Sequence, residues 1–542
     1  MKILLPVFLV AAALFAQQNP PVAPATQPNP LCAIEGQVTN IATGAPVKKA
    51  ELVVLRIESE PQINYSAITD ASGKFAMQGL EPGKYRLSVS ANGFVDANYG
   101  ARGSNRRGTT LSLDAGELLK DVNPKLTPQG VIAGRIVDED GDPVARAKVA
   151  AGTFRRVEGR KQLTCAGTAS TNDLGEYRIF SLAPGRYYVS ALKMGSDADR
   201  SAMPPPEQSY VPTYYPRAID IAAAVSVDLP AGAELHAVNI ILAKTHTVRV
   251  GGHVDSPSGG RPNVMILLTP RDQAGAWGVG GQSGADAQGN FEFRGVRPGV
   301  YWLETRFFGE RPLFMRQPID VGNTNLDDVA VTLAPGVDLQ GRVKTEGPDR
   351  AILAAIQILL RPDNPTGTYV GPMPHAHAND DGTFTLPRLA PEHYDFYVSG
   401  FPDGYYVKSI RAGDKEVRDS GLDLTSGPAA AITVAIAPGA GQIDGVVVDD
   451  KQTAAGALVV LVPDGPNRRG RKDAYSTATA GQNGLFTLKN IDPGDYKLYA
   501  WDDIESEAYM DPDFMKPFES QGLPMSIHEN SRETAQLKLI AQ

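Results

Sequence analysis

Residues 70–85 read Asp70-Ala71-Ser72-Gly73-Lys74-Phe75-Ala76-Met77-Gln78-Gly79-Leu80-Glu81-Pro82-Gly83-Lys84-Tyr85. A glycine is followed two positions on by an aromatic, then by an aliphatic and by a second aromatic at intervals of five, with Pro-Gly ahead of the last. The pattern returns as Gly175, Tyr177, Leu182, Tyr187; as Gly289, Phe291, Val296, Tyr301; as Gly382, Phe384, Leu389, Tyr394; and as Gly484, Phe486, Ile491, Tyr496. Pro184-Gly185, Pro298-Gly299 and Pro493-Gly494 repeat the Pro-Gly, and the fourth copy has Pro391-Glu392. Successive first aromatics lie 102, 114, 93 and 102 residues apart, so the repeating unit is a domain and not a short solenoid turn.

Period-2 alternation places the strands around this pattern. Each repeat opens on an apolar residue, a glycine and a second apolar residue at alternate positions: Ile34, Gly36, Val38; Ile132, Gly134, Ile136; Val250, Gly252, Val254; Leu339, Gly341, Val343; Ile443, Gly445, Val447. All three share one face of a strand, and the middle glycine leaves room there for a ring or another backbone. The repeated aromatics are the natural candidates for that ring. Second strands show as Leu52 and Val54, as Val264, Ile266 and Leu268, and as Ile356, Ile358 and Leu360.

Asp or Asn stands three residues before the pattern's glycine (Asp70, Asn172, Asp286, Asn379), and Gly481 does so in the fifth copy. Such residues close turns by bonding the backbone two positions on, which predicts a hairpin turn. After Pro-Gly, alternation resumes as Tyr85, Leu87, Val89; Tyr187, Val189, Ala191; Tyr394, Phe396, Val398; and Tyr496, Leu498, Ala500. Helical periodicity is nearly absent. The fold class is therefore all-β, with five tandem antiparallel β-sandwich domains of transthyretin/prealbumin-like or immunoglobulin-like type. Their expected spans are 32–128, 129–245, 246–335, 336–438 and 439–542.

The chain has 542 residues, with 55 glycines and 42 prolines that supply turn chemistry and show no collagen period. Its net charge of −9 argues for solubility and against a nucleic-acid partner. Lys2, an apolar run from Ile3 to Phe15 and small Ala16 have the anatomy of a signal peptide over residues 1–16, too short to span a membrane. Export to the periplasm, cell surface or medium follows, and residues 17–31, rich in Gln, Pro and Asn, read as a disordered spacer. No transmembrane span is expected. Cys32 and Cys165 fall in different repeats and are either a bridge between neighbours or two separate thiols. Cys32 lies too far past the apolar run to be a lipid-attachment site.

Within the first repeat, Gly36-Gln37-Val38, Thr43-Gly44-Ala45-Pro46-Val47, Thr69 to Phe75 and Leu80 to Tyr85 resemble the carboxypeptidase regulatory-like domain. The second repeat carries the match as Gly134 to Asp138, Gly141-Asp142-Pro143-Val144 and Leu182 to Tyr187. The fifth is similar, and the third and fourth lack the Thr-Gly-x-Pro turn. That resemblance implies a prealbumin-like sandwich within a wider carbohydrate-binding-like fold group, in an exported accessory role. In metallocarboxypeptidases this domain is the appendage and the zinc chemistry lies elsewhere.

Residues for that chemistry are not found. None of the seven His begins a His-x-x-Glu, His528-Glu529 lacks the second His of a zinc helix, and there is no Gly-x-Ser-x-Gly elbow, Walker loop or zinc-spaced Cys pair. The chain reads as a non-enzyme without a cofactor. His375, His377 and His393 form either a metal site across a hairpin or a solvated loop. Asp502, Asp503, Glu505, Glu507, Asp511 and Asp513 are Ca²⁺ oxygens or an exposed acidic loop. Arg468, Arg469, Arg471 and Lys472 read as a loop charge cluster.

Aromatics outside the repeated positions are the binding candidates: Tyr210, Tyr214 and Tyr215; Phe307 and Phe308; Tyr405 and Tyr406; Trp501 with Tyr509. Rings shown on loops or edges stack on sugar faces, though Tyr214-Tyr215-Pro216 equally reads as a wedge between domains. Two roles result. One is an exported protein that binds a glycan or cell-envelope polymer. The other is a structural spacer or adhesin stalk that contacts another envelope protein, with an accessory role in a peptidase system a distant third. Short joints such as Leu333-Ala334-Pro335-Gly336 and Ile436-Ala437-Pro438-Gly439 limit flexion in either case.

Overall fold

The computed structural model describes residues 30–57, 62–101, 108–193, 208–255, 264–271, 281–307, 312–348, 351–363, 373–450 and 452–541. The expected leader 1–16 and nearly all of the spacer 17–31 lie outside them.

Five separate apolar cores follow one another along the chain, and each lies between two sheets. The first sheet of each module is built on the opening strand: Cys32–Gln37, Gly130–Val137, Val248–Asp255, Val337–Thr345 or Gly441–Asp449. Its antiparallel neighbour is the strand of the first aromatic, and the register is the same in all five modules. Gly36 faces Phe75, Gly134 faces Tyr177, Gly252 faces Phe291, Gly341 faces Phe384 and Gly445 faces Phe486.

These glycines are enforced by space. A Cβ on Gly445 would lie 2.3 Å from the Ala535 carbonyl oxygen and 2.5 Å from the Phe486 ring, and one on Gly341 would lie 2.3 Å from the Phe384 ring. In the second module the intruder is the Val238 carbonyl, which also accepts the Tyr177 hydroxyl at 2.7 Å. The ring expected from alternation is thus present in four modules, joined in the first, third and fifth by a late carbonyl, that of Val122, Val329 or Ala535.

The second sheet is built on Glu51–Arg56, Lys148–Val157, Val264–Pro270, Gln357–Pro362 or Leu458–Pro463, paired with the strand of the second aromatic. This corrects the expected hairpin. Asn64–Ile68 and Lys74–Leu80, on either side of the Asp70 turn, belong to different sheets, and so do Lys74–Leu80 and Gly83–Ser90. Both turns are arches over the edge of the core, so Phe75, Met77 and Leu80 face Tyr85, Leu87 and Val89 across it.

Side chains lock the arches. Asp70 Oδ1 accepts from the Ser72 and Lys74 N–H, Asn172 Oδ1 from Leu174 and Glu176, and Asp286 Oδ1 from Gln288 and Asn290, all within 3.0 Å. Each following glycine takes a positive φ, from 71° to 91°, and its carbonyl accepts the N–H of the opening strand's last apolar residue, as in Val38 N to Gly73 O at 2.8 Å. At the second arch the repeated tyrosine donates its hydroxyl to the carbonyl four residues back: Tyr85 to Glu81, Tyr187 to Ala183, Tyr301 to Arg297, Tyr394 to Ala390 and Tyr496 to Asp492, at 2.5–3.0 Å.

Two features of the first sheet were not expected. The residue before the repeated aliphatic is left-handed in every module, at Gly79, Ser181, Gly295, Arg388 and Asn490, where a bulge shifts the register. The opening strand also pairs in parallel with a late strand: Leu118–Leu119, Glu234–Leu235 with Ile240–Ile241, Leu326–Thr332, Ile432–Pro438 or Arg532–Lys538. The named strands are otherwise antiparallel, save for a short parallel pair of Thr39–Asn40 with Lys125–Pro128 in the first module.

Gly445→Ala is expected to destabilise its module by about 1–3 kcal/mol, because backbone and ring leave the methyl no space. Ser181→Gly is expected to stabilise the second module by up to about 1 kcal/mol, since an L side chain in the left-handed region carries a penalty of about that size. Calorimetry that resolves the module transitions checks both.

Candidate functional site

The exposed-aromatic expectation fails at three positions. Trp501 is fully buried on the outer face of the fifth module's second sheet, stacked on Tyr499 with centroids 5.0 Å apart at 11° and edge-on to Phe518 at 5.8 Å. Ile504, Met515 and Phe514, from the chain between Trp501 and Leu523, seal it. Tyr214 is buried because its segment folds back and pairs with Ser190, and burial pushes its hydroxyl up to about 12. Tyr406 is buried on the strand Tyr405–Ala412 and donates to Glu529 Oε1 at 2.8 Å, with burial and then that bond pushing it up to about 12. None of the three presents a ring face to a sugar.

Tyr210, Tyr215 and Tyr405 keep partial exposure. Tyr215 packs on the second core, and Tyr405 sits against Gly347. Over the Tyr210 ring lie the ammonium groups of Lys193 at 5.0 Å and Lys244 at 4.8 Å. Lys244 also bonds Glu139, and that hydrogen bond is the chief cause that raises it to about 12. Tyr509 is half-buried against Tyr475 at 5.7 Å. Phe308 and the side chain of Phe307 lie outside the described residues.

The histidines do not converge. His375 and His377 are exposed on a strand that pairs with one side of Gln357–Pro362, while His393 lies on the strand along its other side and bonds the Ser420 carbonyl at 2.8 Å. Among the described residues no three His, Cys, Asp or Glu side chains come close enough to hold a metal. Cys32 and Cys165 are free thiols, the first buried and bonded to the Asp114 carbonyl, the second half-buried near Gly167.

The charged runs have a different use from the solvated loops expected. Arg468 bonds the Tyr496 hydroxyl at 2.6 Å, Arg469 pairs with Glu519 at 2.7 Å, Lys472 pairs with Glu507, and Arg471 is almost wholly buried between Asp473 and Asp419. Burial works against the charge of Arg471, but the two carboxylates outweigh it and hold its pKa above the ordinary value. Asp419 belongs to the fourth module, so this pair crosses a module boundary. At the same junction Arg418 pairs with Asp492, whose carboxyl burial raises, and Gly404 N–H donates to Asn490 Oδ1 at 2.8 Å. Asp403 takes Lys489 and Asn490, each at 3.1 Å. Glu505 and Asp511 pair with Arg156 of the second module, the second at 2.9 Å. Several of these ion pairs and hydrogen bonds, those of Arg471, Arg418, Asp403 and Arg156 among them, therefore join one module to another.

Arg471→Ala removes a buried guanidinium shared by two partly exposed carboxylates, Asp419 and Asp473, a change expected to cost about 1–3 kcal/mol because water can reach the charges left behind. The expected outcome is earlier melting and faster proteolysis at the boundary between modules four and five, with the first module's transition unchanged.

Comparison with known proteins bears on the first module. A profile of the carboxypeptidase regulatory-like domain matches residues 33–120. No curated protein is similar to the chain by sequence. Similar solved structures include a minor pilin of Streptococcus agalactiae, 16% identical, with 40% of this chain and 96% of the pilin covered and a TM-score of 0.24. The major pilin subunit of Bacillus cereus is 11% identical over 56% of this chain and 99% of its own, with a TM-score of 0.15. A shaft pilin of Lactobacillus rhamnosus is 9% identical over 40% and 98%, with a TM-score of 0.20. Scores of this size establish no common arrangement. Among the described residues no helix is long and apolar enough to cross a membrane.

Proposed function

We propose that this chain is an exported, non-catalytic structural protein of the cell envelope that acts by contact with another protein, its five modules divided near residues 129, 246, 336 and 439. The observation that carries this reading is where the recognition-type side chains are spent. Trp501, Tyr214 and Tyr406 are inside, and the arginines and carboxylates that would mark a ligand site pair with one another across module boundaries. Such a chain spends these side chains on holding its modules in place. The leader read at residues 1–16 supports export, and the regulatory-like match at 33–120 supports an accessory role. Glycan binding is the second reading, kept because Tyr210, Tyr215 and Tyr405 retain some of their surface in water.

The two readings separate in one pair of measurements on the mature chain: cross-linking on intact cells with identification of the linked protein, and a saccharide array. The expected result is one reproducible envelope protein and no retained saccharide. Saccharide binding that disappears in a Tyr210→Ala, Tyr405→Ala variant would overturn the structural reading in favour of the lectin one.

A further inference from the structure

The second module carries an arm. Lys148–Val157 pairs with the strand Gly185–Leu192 only as far as Gly152 with Tyr188, yet its pairing with Arg160–Ser170 runs on to Val157 with Arg160. Beyond Gly152 the arm is thus a bare two-stranded hairpin, a form only marginally stable alone in water. Its turn, Glu158-Gly159, is left-handed at both residues, with φ of 52° and 75°.

The tip of the arm is lodged against the fifth module, some 350 residues on in sequence. Arg156 N–H donates to Glu505 Oε1 at 2.9 Å, its Nε donates to Asp511 Oδ2 at 2.9 Å, and its Nη1 pairs with Glu505. The same guanidinium lies 5.6 Å from the centre of the Phe514 ring. Glu158 N–H donates to Glu507 Oε2 at 2.6 Å. Gly159 fits with nothing to spare, because a Cβ there would lie 2.6 Å from the Met510 carbonyl oxygen. On the other side of the tip Glu158 pairs with Arg361 and Arg160 stands 3.7 Å from Asp363, both of the fourth module. All the acceptors on the fifth module come from residues 505–511, within the strap that seals Trp501.

We propose that this arm is a latch that closes the chain on itself, its tip held by the acidic strap of the fifth module, so that the protein exists as a closed body that opens into a string of modules when the latch is released. Charge complementarity carries the choice of occupant: Arg156 at the tip meets Glu505 and Asp511 of the strap, the Glu158 N–H meets Glu507, and Arg160 beside them faces Asp363. The tether keeps the two at high effective concentration, so contacts too weak to join separate molecules suffice within one. The pairs are partly exposed, so salt weakens them. This inference concerns the chain's own shape and stands whether or not a partner is found.

Small-angle scattering of the mature chain tests it, with Arg156→Glu as the charge variant and Gly159→Asn as the steric one. Asn tolerates the left-handed turn and so keeps the arm, while its Cβ blocks the seat. A compact chain of this length has a radius of gyration of about 24 Å, and opening raises it by about a third or more. The wild type is expected near the compact value at about 0.05 M salt and larger at about 0.5 M, where the screening length falls from over 10 Å to below 5 Å. Both variants are expected to be open at low salt, and Arg156→Glu with Glu505→Arg is expected to return towards the closed value. The proposal is overturned if the wild type is already string-like at low salt, or if Gly159→Asn, with native circular dichroism, scatters as the wild type does.

Discussion

The whole architecture depends on one pairing made five times: an aromatic residue set opposite a glycine on the neighbouring strand, at a point where a β-carbon has no room. Because Gly36 faces Phe75, and its counterparts face theirs, the ring lies flat on the first sheet and fills the core where an ordinary side chain would hold it away. In the first, second, third and fifth modules a later carbonyl, that of Val122, Val238, Val329 or Ala535, comes over the same glycine, so the missing Cβ there serves both backbone approach and core packing. A register slip of one residue would turn the ring to solvent and set a β-carbon against a carbonyl oxygen, which is why register is strongly specified here.

Much of this could be read from residues. A glycine at the inward position of an alternating strand says that something comes close, and an aromatic at fixed spacing says what. Fold class, the core tyrosines and the turn role of Asp70, Asn172 and Asp286 follow from such local rules. The arches did not, because a turn that joins two strands of one sheet and a turn that crosses between sheets use the same Asx and glycine chemistry. The parallel closing pair was hidden in the first two modules by strands as short as Leu118–Leu119, and in the other three because alternation shows a strand but not the direction of its neighbour. The left-handed bulge was hidden because its occupants Gly79, Ser181, Gly295, Arg388 and Asn490 have no side-chain chemistry in common.

The candidate site was misread for a physical reason. Whether Trp501 or Tyr214 is displayed or packed depends on what later chain folds over it, and the cover of Trp501 comes from a strap that no periodicity announces. The charge runs were read as solvated for the same reason: the partner of Glu505 is 349 residues away and that of Arg471 is 52 away. Local sequence shows a charge but not its neighbour. What results is a chain whose polar residues serve cohesion, with a bulge residue such as Asn490 taking both Asp403 and Gly404 of the preceding module.

The parallel pairing of the opening and closing strands has a mechanical meaning. Two strands side by side and running the same way bring the chain in at one end of a sandwich and out at the other. Traction on those two ends slides the strands past each other, so their hydrogen bonds bear the load together instead of opening singly like a zip. The fifth module holds the longest such seam, with every residue from Gln442 to Val448 matched to one from Arg532 to Lys538. The first module matches Ala33 with Leu118 and Ile34 with Leu119, and a short second seam joins Thr39 and Asn40 to Lys125 and Leu126. The second module likewise matches only four residues, Val131, Ile132, Ile136 and Val137, so traction along the chain is expected to shear the first two modules before the fifth.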